Sequence, residues 1–99
     1  MKIDQHIEGD KLYIALDGDL NTLTAPELEA ALQPHLDKVS QIEIDMTHLS
    51  YLTSAGLRVL LVAYTAMSEK GGSLIVKNPN DEIREIFDVT SFSSFLTIQ

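Results

Sequence analysis

Two stretches near the amino terminus alternate apolar and polar residues. They span residues 2–7 and 11–17, and Gly9 lies in the short segment between them. Side chains along a β-strand point alternately to its two faces, so each stretch predicts a strand with one apolar face. Glycine readily adopts the positive φ that a tight turn requires. The pattern therefore predicts an N-terminal β-hairpin.

The chain then changes to helical spacing. Thr24-Ala-Pro-Glu27 has the spacing of a capping box with proline in the first turn, which predicts that a helix starts at Thr24. Pro34 has no amide hydrogen and would clash with the preceding turn, so we expect this helix to end or kink near Gln33. Alternation returns over residues 41–46 and predicts a strand with one apolar face.

The longest apolar run covers residues 57–67, which is long enough for a helix of about three turns. Gly71 and Gly72 follow it and are expected to form its C-terminal cap. The polar residues of this helix fall roughly on one stripe, which Leu61 and Val62 interrupt. Either these two residues belong to an interaction surface, or adjacent elements cover them.

A further strand, a helix and a tail complete the pattern. Residues 73–77 predict a short strand, and Asn78-Pro-Asn-Asp81 predicts the start of a helix that runs to about Asp88. The aromatic and apolar tail, residues 91–98, is expected to close the core as a short strand or extended segment. A hairpin followed by alternating strands and helices predicts a small α/β layer structure.

Residues 53–56, Thr-Ser-Ala-Gly, stand between a strand-like run and the strongly apolar helical run. Ser54 falls where that helix is expected to begin, and its hydroxyl is expected to satisfy one of the first unpaired backbone N–H groups. An anion attached to Ser54 would face the positive end of the helix dipole. The turn is therefore expected to tolerate a phosphate.

The composition limits the partners that this chain can bind. Its 99 residues suit one domain, residues 1–99, and 15 acidic against 7 basic residues give a net charge of -8. That charge opposes unspecific adhesion to nucleic acid and to anionic membranes, so we expect neither as a direct partner. No apolar run approaches a membrane span and the amino terminus lacks a signal peptide's apolar region, so we expect a cytoplasmic protein.

Three segments carry a resemblance to a known family. Residues 42–60 resemble the central motif of the STAS domain, the family named for sulfate transporters and anti-sigma factor antagonists, in which a strand leads through a loop to a serine-containing helix start. Residues 17–28 are similar to the family's early Gly-x-Leu/Phe-Asp segment, and residues 71–80 to its late strand and following turn. The resemblance covers the whole chain as a single STAS-like domain. It implies a mixed sheet of four or five strands with helices mainly on one face.

The resemblance also implies a function. In free-standing members of the family, the serine aligned with Ser54 is phosphorylated by a protein kinase that is also an anti-sigma factor. The unmodified chain is thus expected to bind this ATP-binding serine kinase and free a sigma factor, and phosphorylation to release the kinase. The family further implies a serine phosphatase that restores the unmodified form. Neither enzymatic activity nor a cofactor is expected of this chain, because the kinase brings the ATP.

Three neighbours of Ser54 complete the family's motif or depart from it. Gly56 is the glycine of the motif and is expected near the phosphosite. Thr53 stands where many phosphorylated members have Asp, and Asn21 stands where the family typically has Asp. The resemblance would place Asn21 beside Ser54, able to hydrogen-bond but not to act as a base. Alternatively, Asn21 is a turn residue bonded to its own backbone.

Three charged residues are further candidates. Asp19 and Asp45 are expected to add an acidic rim around the turn, Asp45 by ending its strand just before the motif; alternatively, both are solvated carboxylates that terminate secondary structure. Arg58 lies one turn into the helix. It is expected to contact a partner's carboxylate or a phosphate on Ser54, or to be an ordinary exposed arginine.

Other functions are open. A non-switching STAS scaffold or sensor subunit in a signalling assembly is favoured by Thr53 and Asn21. A hydrolase using Ser54 is the third hypothesis, but Leu52 occupies the first glycine position of Gly-x-Ser-x-Gly.

The remaining chemistry finds little support in the sequence. His6, His35 and His48 carry no motif that assigns any of them as a base and lack close metal-ligand spacing. The absence of cysteine excludes disulfides and cysteine-based metal sites. For these reasons no metal is expected in this chain. Gly71-Gly72 matches no nucleotide-binding motif, so no bound nucleotide is expected either.

Overall fold

The computed structural model describes residues 1–99. The elements are β1 (Lys2–Glu8), β2 (Lys11–Leu20), α1 (Ala25–Leu32), β3 (Gln41–Leu52), α2 (Ser54–Glu69), β4 (Ser73–Lys77), α3 (Asp81–Val89) and β5 (Thr97–Ile98). The strands form one mixed sheet in the order β1-β2-β3-β4-β5, in which β1 is antiparallel to β2 and the other neighbours are parallel. The predicted α/β fold with an N-terminal hairpin and a mixed sheet of four or five strands is confirmed, and the sheet has five strands.

The two faces of the sheet differ in character. One face carries the apolar residues of the central strands, which are fully buried beneath the helices together with residues such as Leu60 and Phe87. The opposite face carries half-buried polar residues, where Lys11 Nζ lies 3.1 Å and Lys77 Nζ 3.7 Å from Glu43 Oε1. The helices therefore cover mainly one face, as predicted.

The boundaries of α1 and α3 lie within about one residue of their predicted positions, whereas α2 extends two to three residues beyond the predicted run 57–67 at each end. α1 begins after Thr24 and ends at Leu32, where Pro34 allows only a short 3-10 turn to follow. The capping box does not form: the Thr24 side chain makes no cap bond, and its hydroxyl donates instead to the Asp19 carbonyl at 2.6 Å. The start of α1 therefore depends on the preceding loop rather than on its own first turn.

α2 ends as the double glycine predicts. Gly71 has a φ of 72°, the left-handed conformation that glycine adopts without penalty. Gly72 N donates to Met67 O at 2.7 Å and Gly71 N to Ser68 O at 3.1 Å, which together form a Schellman motif. The α3 start also matches its prediction, since the Asn80 side chain accepts from Ile83 N at 2.8 Å.

β3 is longer than the sequence predicts. Its alternation was expected to end at Met46 with Asp45 near the strand end, but the strand continues to Leu52. Two register shifts against β2 explain the difference, because each one inserts an extra residue in β3. The buried positions after Met46 are therefore Leu49 and Leu52, a spacing of three that conceals the strand from a search for period two.

The amino ends of the parallel strands are tied together by direct backbone hydrogen bonds. Ser40 N donates to Asp10 O at 3.1 Å, and Ser73 N donates to Ser40 O at 3.0 Å. The chain is packed tightly there, because a Cβ on Gly72 would lie 1.8 Å from Ser40 O. The tail closes the far side of the sheet, where β5 pairs in parallel with β4 as a short strand.

The surface of α2 retains apolar residues. Leu61 is 44% exposed and Val62 is 46% exposed, so the hypothesis that adjacent elements cover them is wrong. None of the helices is both long and apolar enough to cross a membrane.

Candidate functional site

Three loops meet at the carboxyl edge of the parallel strands. β2 ends at Leu20, β3 at Leu52 and β4 at Lys77, and the chain leaves each strand for a helix on the same face. Ligands and partners of open α/β sheets commonly bind at this edge. Ser54 lies there, as the first residue of α2, and it is exposed.

Gly56 allows α2 to begin in direct contact with the end of β2. A Cβ at this position would lie 2.7 Å from Leu20 Cγ and 2.8 Å from Leu20 Cδ2, closer than real Cβ contacts come. The Thr53 amide also donates to Leu20 O at 2.9 Å. A glycine is therefore needed at this position so that the first turn of α2, with Ser54, can lie against the β2 end.

The N-cap of α2 is Thr53 and not Ser54, which corrects the expectation that the Ser54 hydroxyl caps the helix. Thr53 has an extended backbone conformation, and its side chain makes no cap hydrogen bond. Its hydroxyl oxygen is buried without any hydrogen-bond partner. The first backbone N–H groups of α2 consequently have no side-chain acceptor from the N-cap residue.

Ser54 and Arg58 line one side of a shallow cleft of about 360 Å³ between α1 and α2. The α1 side is lined by Pro26 and Glu29, and the loop before α1 contributes Thr22. Arg58 is exposed, like Ser54. The structure therefore brings these two predicted site residues together on one helix, beside a second helix.

The Asn21 side chain accepts hydrogen bonds within the loop after β2. Its Oδ1 accepts from Leu23 N at 2.9 Å and from Thr24 N at 3.1 Å, which is an Asx turn. The turn alternative for this residue is therefore the one that the structure contains. Leu23, whose backbone N–H belongs to this turn, is 85% exposed and follows Thr22, which lines the cleft.

The two carboxylates are not placed together. Asp19 is exposed in the last part of β2, opposite Tyr51 in the register. Asp45 lies in the middle of β3, opposite Lys77 on the polar face of the sheet. The expectation that Asp45 ends its strand and contributes to a rim around Ser54 is therefore wrong, because the bulged continuation of β3 separates Asp45 from the turn.

Asp45 instead belongs to a small hydrogen-bonded group. Its Oδ1 accepts from Thr47 N at 3.1 Å, from Thr47 Oγ1 at 2.6 Å and from Asn78 Nδ2 at 3.3 Å. Partial burial opposes ionisation, but these hydrogen bonds outweigh it and lower the pKa of the Asp45 carboxyl below its ordinary value. The group connects β3 to the turn after β4.

The histidines lie away from Ser54. His6 stacks on the ring of Tyr13 at a centroid distance of 4.7 Å, and none of the three histidines lines the cleft. The cleft thus contains no imidazole that could act as a base for the Ser54 hydroxyl. No group of three or more His, Cys, Asp or Glu residues is arranged to hold a metal ion.

Sequence reasoning missed Thr22, Pro26 and Glu29 as residues of the cleft. Pro26 and Glu29 were recognisable as members of α1, and their spacing of three placed them on one face of it. Their position opposite Ser54 depends on how α1 packs on α2, which local spacing does not encode. The exposure of Leu23 was likewise missed, because an apolar residue in a loop carries no periodic signal.

Comparison with known proteins supplies the context for this site. A family model described as the STAS domain matches residues 2–99. BtrV of Bordetella bronchiseptica is 30% identical over 99 residues, which cover 99% of this chain and 85% of BtrV. The anti-sigma-B factor antagonist of Listeria monocytogenes is 28% identical over 91 residues, which cover 91% of this chain and 80% of that protein.

Solved structures show the same fold. The Bacillus cell fate determinant SpoIIAA in its phosphorylated form matches with a TM-score of 0.80, 18% identity and coverage of 99% of this chain and 91% of SpoIIAA. Its unphosphorylated form, an anti-sigma factor antagonist, matches with a TM-score of 0.82, 18% identity and coverage of 99% and 87%. With a family model that spans all but one residue and a shared fold, this chain belongs to the STAS domain family.

Proposed function

We propose that this chain is an anti-sigma factor antagonist that is switched by phosphorylation of Ser54. The observation that carries the proposal is the position of Ser54, an exposed hydroxyl at the first residue of a 16-residue helix. The relative from Listeria is named an anti-sigma-B factor antagonist, and SpoIIAA was solved in both unphosphorylated and phosphorylated forms. Both relationships support an antagonist role for this chain.

The chemistry is a phosphoryl transfer from ATP bound by the partner kinase. The Ser54 oxygen forms a bond to the γ-phosphorus as the bond to the β-phosphate oxygen breaks, ADP leaves, and the hydroxyl proton passes to a base of the kinase. An exposed serine at a helix start can enter a kinase active site without unfolding of its own domain. The partner thus supplies the nucleotide and the base, and this chain supplies the acceptor.

The phosphate would change binding more than it changes the fold. It adds roughly -1.5 to -2 charges at pH 7, and the N-terminal end of α2 stabilises negative charge. A kinase that holds ATP already presents phosphate groups beside the docked serine. Because like charges brought together in a desolvated contact cost free energy, the phosphorylated form is released. The unmodified form binds the kinase and frees the sigma factor.

The acceptor assignment is tested with the serine kinase encoded nearest to the gene for this chain. Incubation with that kinase and ATP is expected to add one phosphate, seen by intact-mass analysis, and fragmentation should place it on Ser54. The Ser54→Ala variant retains Thr53 and should gain no phosphate. An unmodified wild-type chain, or a phosphate on any other residue, would overturn the switch.

A second candidate, a non-switching STAS scaffold or sensor subunit, is favoured by the placement of Asn21 and Thr53. The Asn21 side chain is engaged in its own turn, and the Thr53 hydroxyl is buried. Neither supplies the negative charge that many phosphorylated family members carry near the acceptor. Under this alternative, the Ser54→Asp variant binds the partner as tightly as wild type, whereas a switch predicts that it binds more weakly than Ser54→Ala.

A further inference from the structure

Arg58 lies one helical turn after Ser54 on the same face of α2. The two residues are four apart, which places their Cβ atoms about 5–6 Å from each other. Both are exposed, and both line the cleft between α1 and α2. Arg58 is the only basic residue in α2 and the only one that lines this cleft.

The guanidinium of Arg58 has no ion-pair partner in the protein. The ion pairs lie elsewhere and join Lys11 and Lys77 to Glu43. The carboxylate that lines the α1 side of the same cleft, Glu29, forms no salt bridge with Arg58. An arginine presents five N–H donors in a planar fork that suits a carboxylate or a phosphate. Arg58 is thus free to receive an anionic group.

We propose that Arg58 is a shared anchor that binds a carboxylate of the partner when Ser54 is unmodified and binds the phosphate when Ser54 is phosphorylated. This inference rests on the proposed function and adds a second route for release: the phosphate withdraws a donor from the partner as well as repelling it. Arg58 acts as a binding and positioning residue in this scheme. The partner surface over the cleft therefore carries an Asp or Glu side chain.

When Ser54 is phosphorylated, Arg58 binds the phosphate in preference to a carboxylate of the partner, for two physical reasons. The phosphate is attached to the same helix, so its effective concentration at Arg58 is millimolar or higher, on the order of that for short linkers. A negative group N-terminal to a positive group at a spacing of four is also the favourable orientation of a charge pair on a helix, and the phosphate itself lies at the N-terminal end of α2, which favours negative charge. A partner's carboxylate has to meet the cost of association to reach the same guanidinium.

The intramolecular pairing can be tested without any kinase. Phosphoserine is incorporated at position 54 during synthesis of the full chain, and its titration is followed by 31P NMR. The Arg58→Gln variant is expected to raise the midpoint of the phosphate titration by about 0.3 pH unit or more. Arg84→Gln on α3, which removes an exposed arginine outside the cleft, should leave the midpoint unchanged. An equal midpoint in wild type and Arg58→Gln overturns the pairing.

The partner side is tested by calorimetry with the kinase that modifies Ser54. Arg58→Gln is expected to weaken binding of the unmodified chain about tenfold or more, and Arg84→Gln to leave it unchanged. Phosphorylation should then reduce affinity by a smaller factor in Arg58→Gln than in wild type, because one cause of release is already absent. Equal factors overturn the shared-anchor proposal. Failure of the unmodified wild-type chain to bind overturns the proposed function instead, while the 31P titration still decides the pairing.

Discussion

The hydroxyl oxygen of Thr53 is the one buried side-chain polar atom in the protein that lacks a hydrogen-bond partner. An N-cap threonine usually accepts a hydrogen bond from the first turn of its helix, and here it does not. Burial of an unsatisfied hydroxyl opposes folding, because the group loses its hydrogen bonds to water without replacement. Residue 53 therefore carries a local cost immediately before the proposed acceptor.

Replacement of Thr53 by valine tests whether the buried hydroxyl lacks a hydrogen-bond partner, because the two possibilities predict changes of opposite sign in the free energy of unfolding. Valine keeps the shape and removes the hydroxyl, so we expect the free energy of unfolding to rise by about 1 kcal/mol. If the hydroxyl caps the helix in solution, the free energy of unfolding of the variant instead falls by about 1 kcal/mol. Urea denaturation measures the difference, and Thr65→Val on the exposed face of α2 serves as the control for the generic effect of the exchange.

Gly56 is required for a steric reason. In the interior of a helix, alanine is favoured over glycine by about 1 kcal/mol, yet a Cβ here would lie 2.7 Å from Leu20 Cγ. Overpacking in a well-packed core costs about 1–3 kcal/mol, so the net effect of Gly56→Ala is expected to be a loss of up to about 2 kcal/mol.

The effect of Gly56→Ala should depend on the side chain at position 20. In a Leu20→Ala background the clash with the side chain disappears and only the close contact with Leu20 O at 3.3 Å remains, so the alanine at position 56 should cost less than it does beside leucine. Denaturation of the four proteins in this double-mutant cycle measures the coupling. Additive effects of the two substitutions would contradict a clash between them.

At the scale of the element, α2 presents two exposed serines at opposite ends. Ser54 lies in its first turn and Ser68 in its last, and the helix runs from Ser54 to Glu69. A negative charge is favourable at the N-terminus of a helix and unfavourable at the C-terminus. The same substitution at the two serines therefore compares the two ends within one helix.

Ser54→Asp is expected to raise the free energy of unfolding by about 0.3–1 kcal/mol, and Ser68→Asp to lower it by a similar amount. Both effects should shrink when the salt concentration is increased, because the charges are exposed. Thermal or urea denaturation at two salt concentrations checks the pair. Destabilisation by Ser54→Asp would contradict the view that a phosphate at this position leaves the fold intact.

Elements whose buried residues keep one regular spacing were predictable from the sequence, whereas the second half of β3 was not. The hairpin turn, α1, β4 and the double-glycine end of α2 appear where their patterns place them, whereas β2 continues to Leu20, beyond its predicted end at Asp17. The second half of β3 was missed, because its two bulges change the spacing of buried residues from two to three. That spacing is set by pairing with β2, which is a tertiary contact. The misplaced Asp45 follows directly from this missed extension.

At the scale of the whole molecule, the net charge of -8 acts on stability. The molecule measures 32 × 27 × 20 Å, and the Debye length falls from about 30 Å at 0.01 M salt to about 8 Å at 0.15 M. At low salt, therefore, carboxylates repel one another across the entire protein, whereas at 0.15 M only close neighbours do. Compaction of a strongly acidic chain is opposed most at low salt.

We accordingly expect the urea midpoint of unfolding to rise when NaCl is increased from about 0.01 to about 0.15 M. Urea is the suitable denaturant because it is uncharged. A variant that combines Glu85→Gln with Asp88→Asn, both exposed on α3, should show a weaker salt dependence. A midpoint that falls or stays constant in the wild type would show that specific ion pairs outweigh the general repulsion.

The site as a whole was only partly accessible from the sequence. Ser54 at the start of α2 and Gly56 beside it follow from the motif and from local helix rules. The cleft that contains Arg58 and Glu29 does not, because it is formed by the packing of α1 against α2. Local spacing thus locates the proposed acceptor, and the tertiary packing provides its surroundings.

The tied amino ends of the parallel strands have a practical consequence for measuring partner binding. Lys38 is exposed just before β3 begins, whereas Ser54 follows the opposite end of β3. The chain has no cysteine of its own. A single cysteine in place of Lys38 would thus attach every molecule to a sensor chip in one orientation, by its firmly hydrogen-bonded end, and leave Ser54, Arg58 and Leu23 facing the flowing analyte.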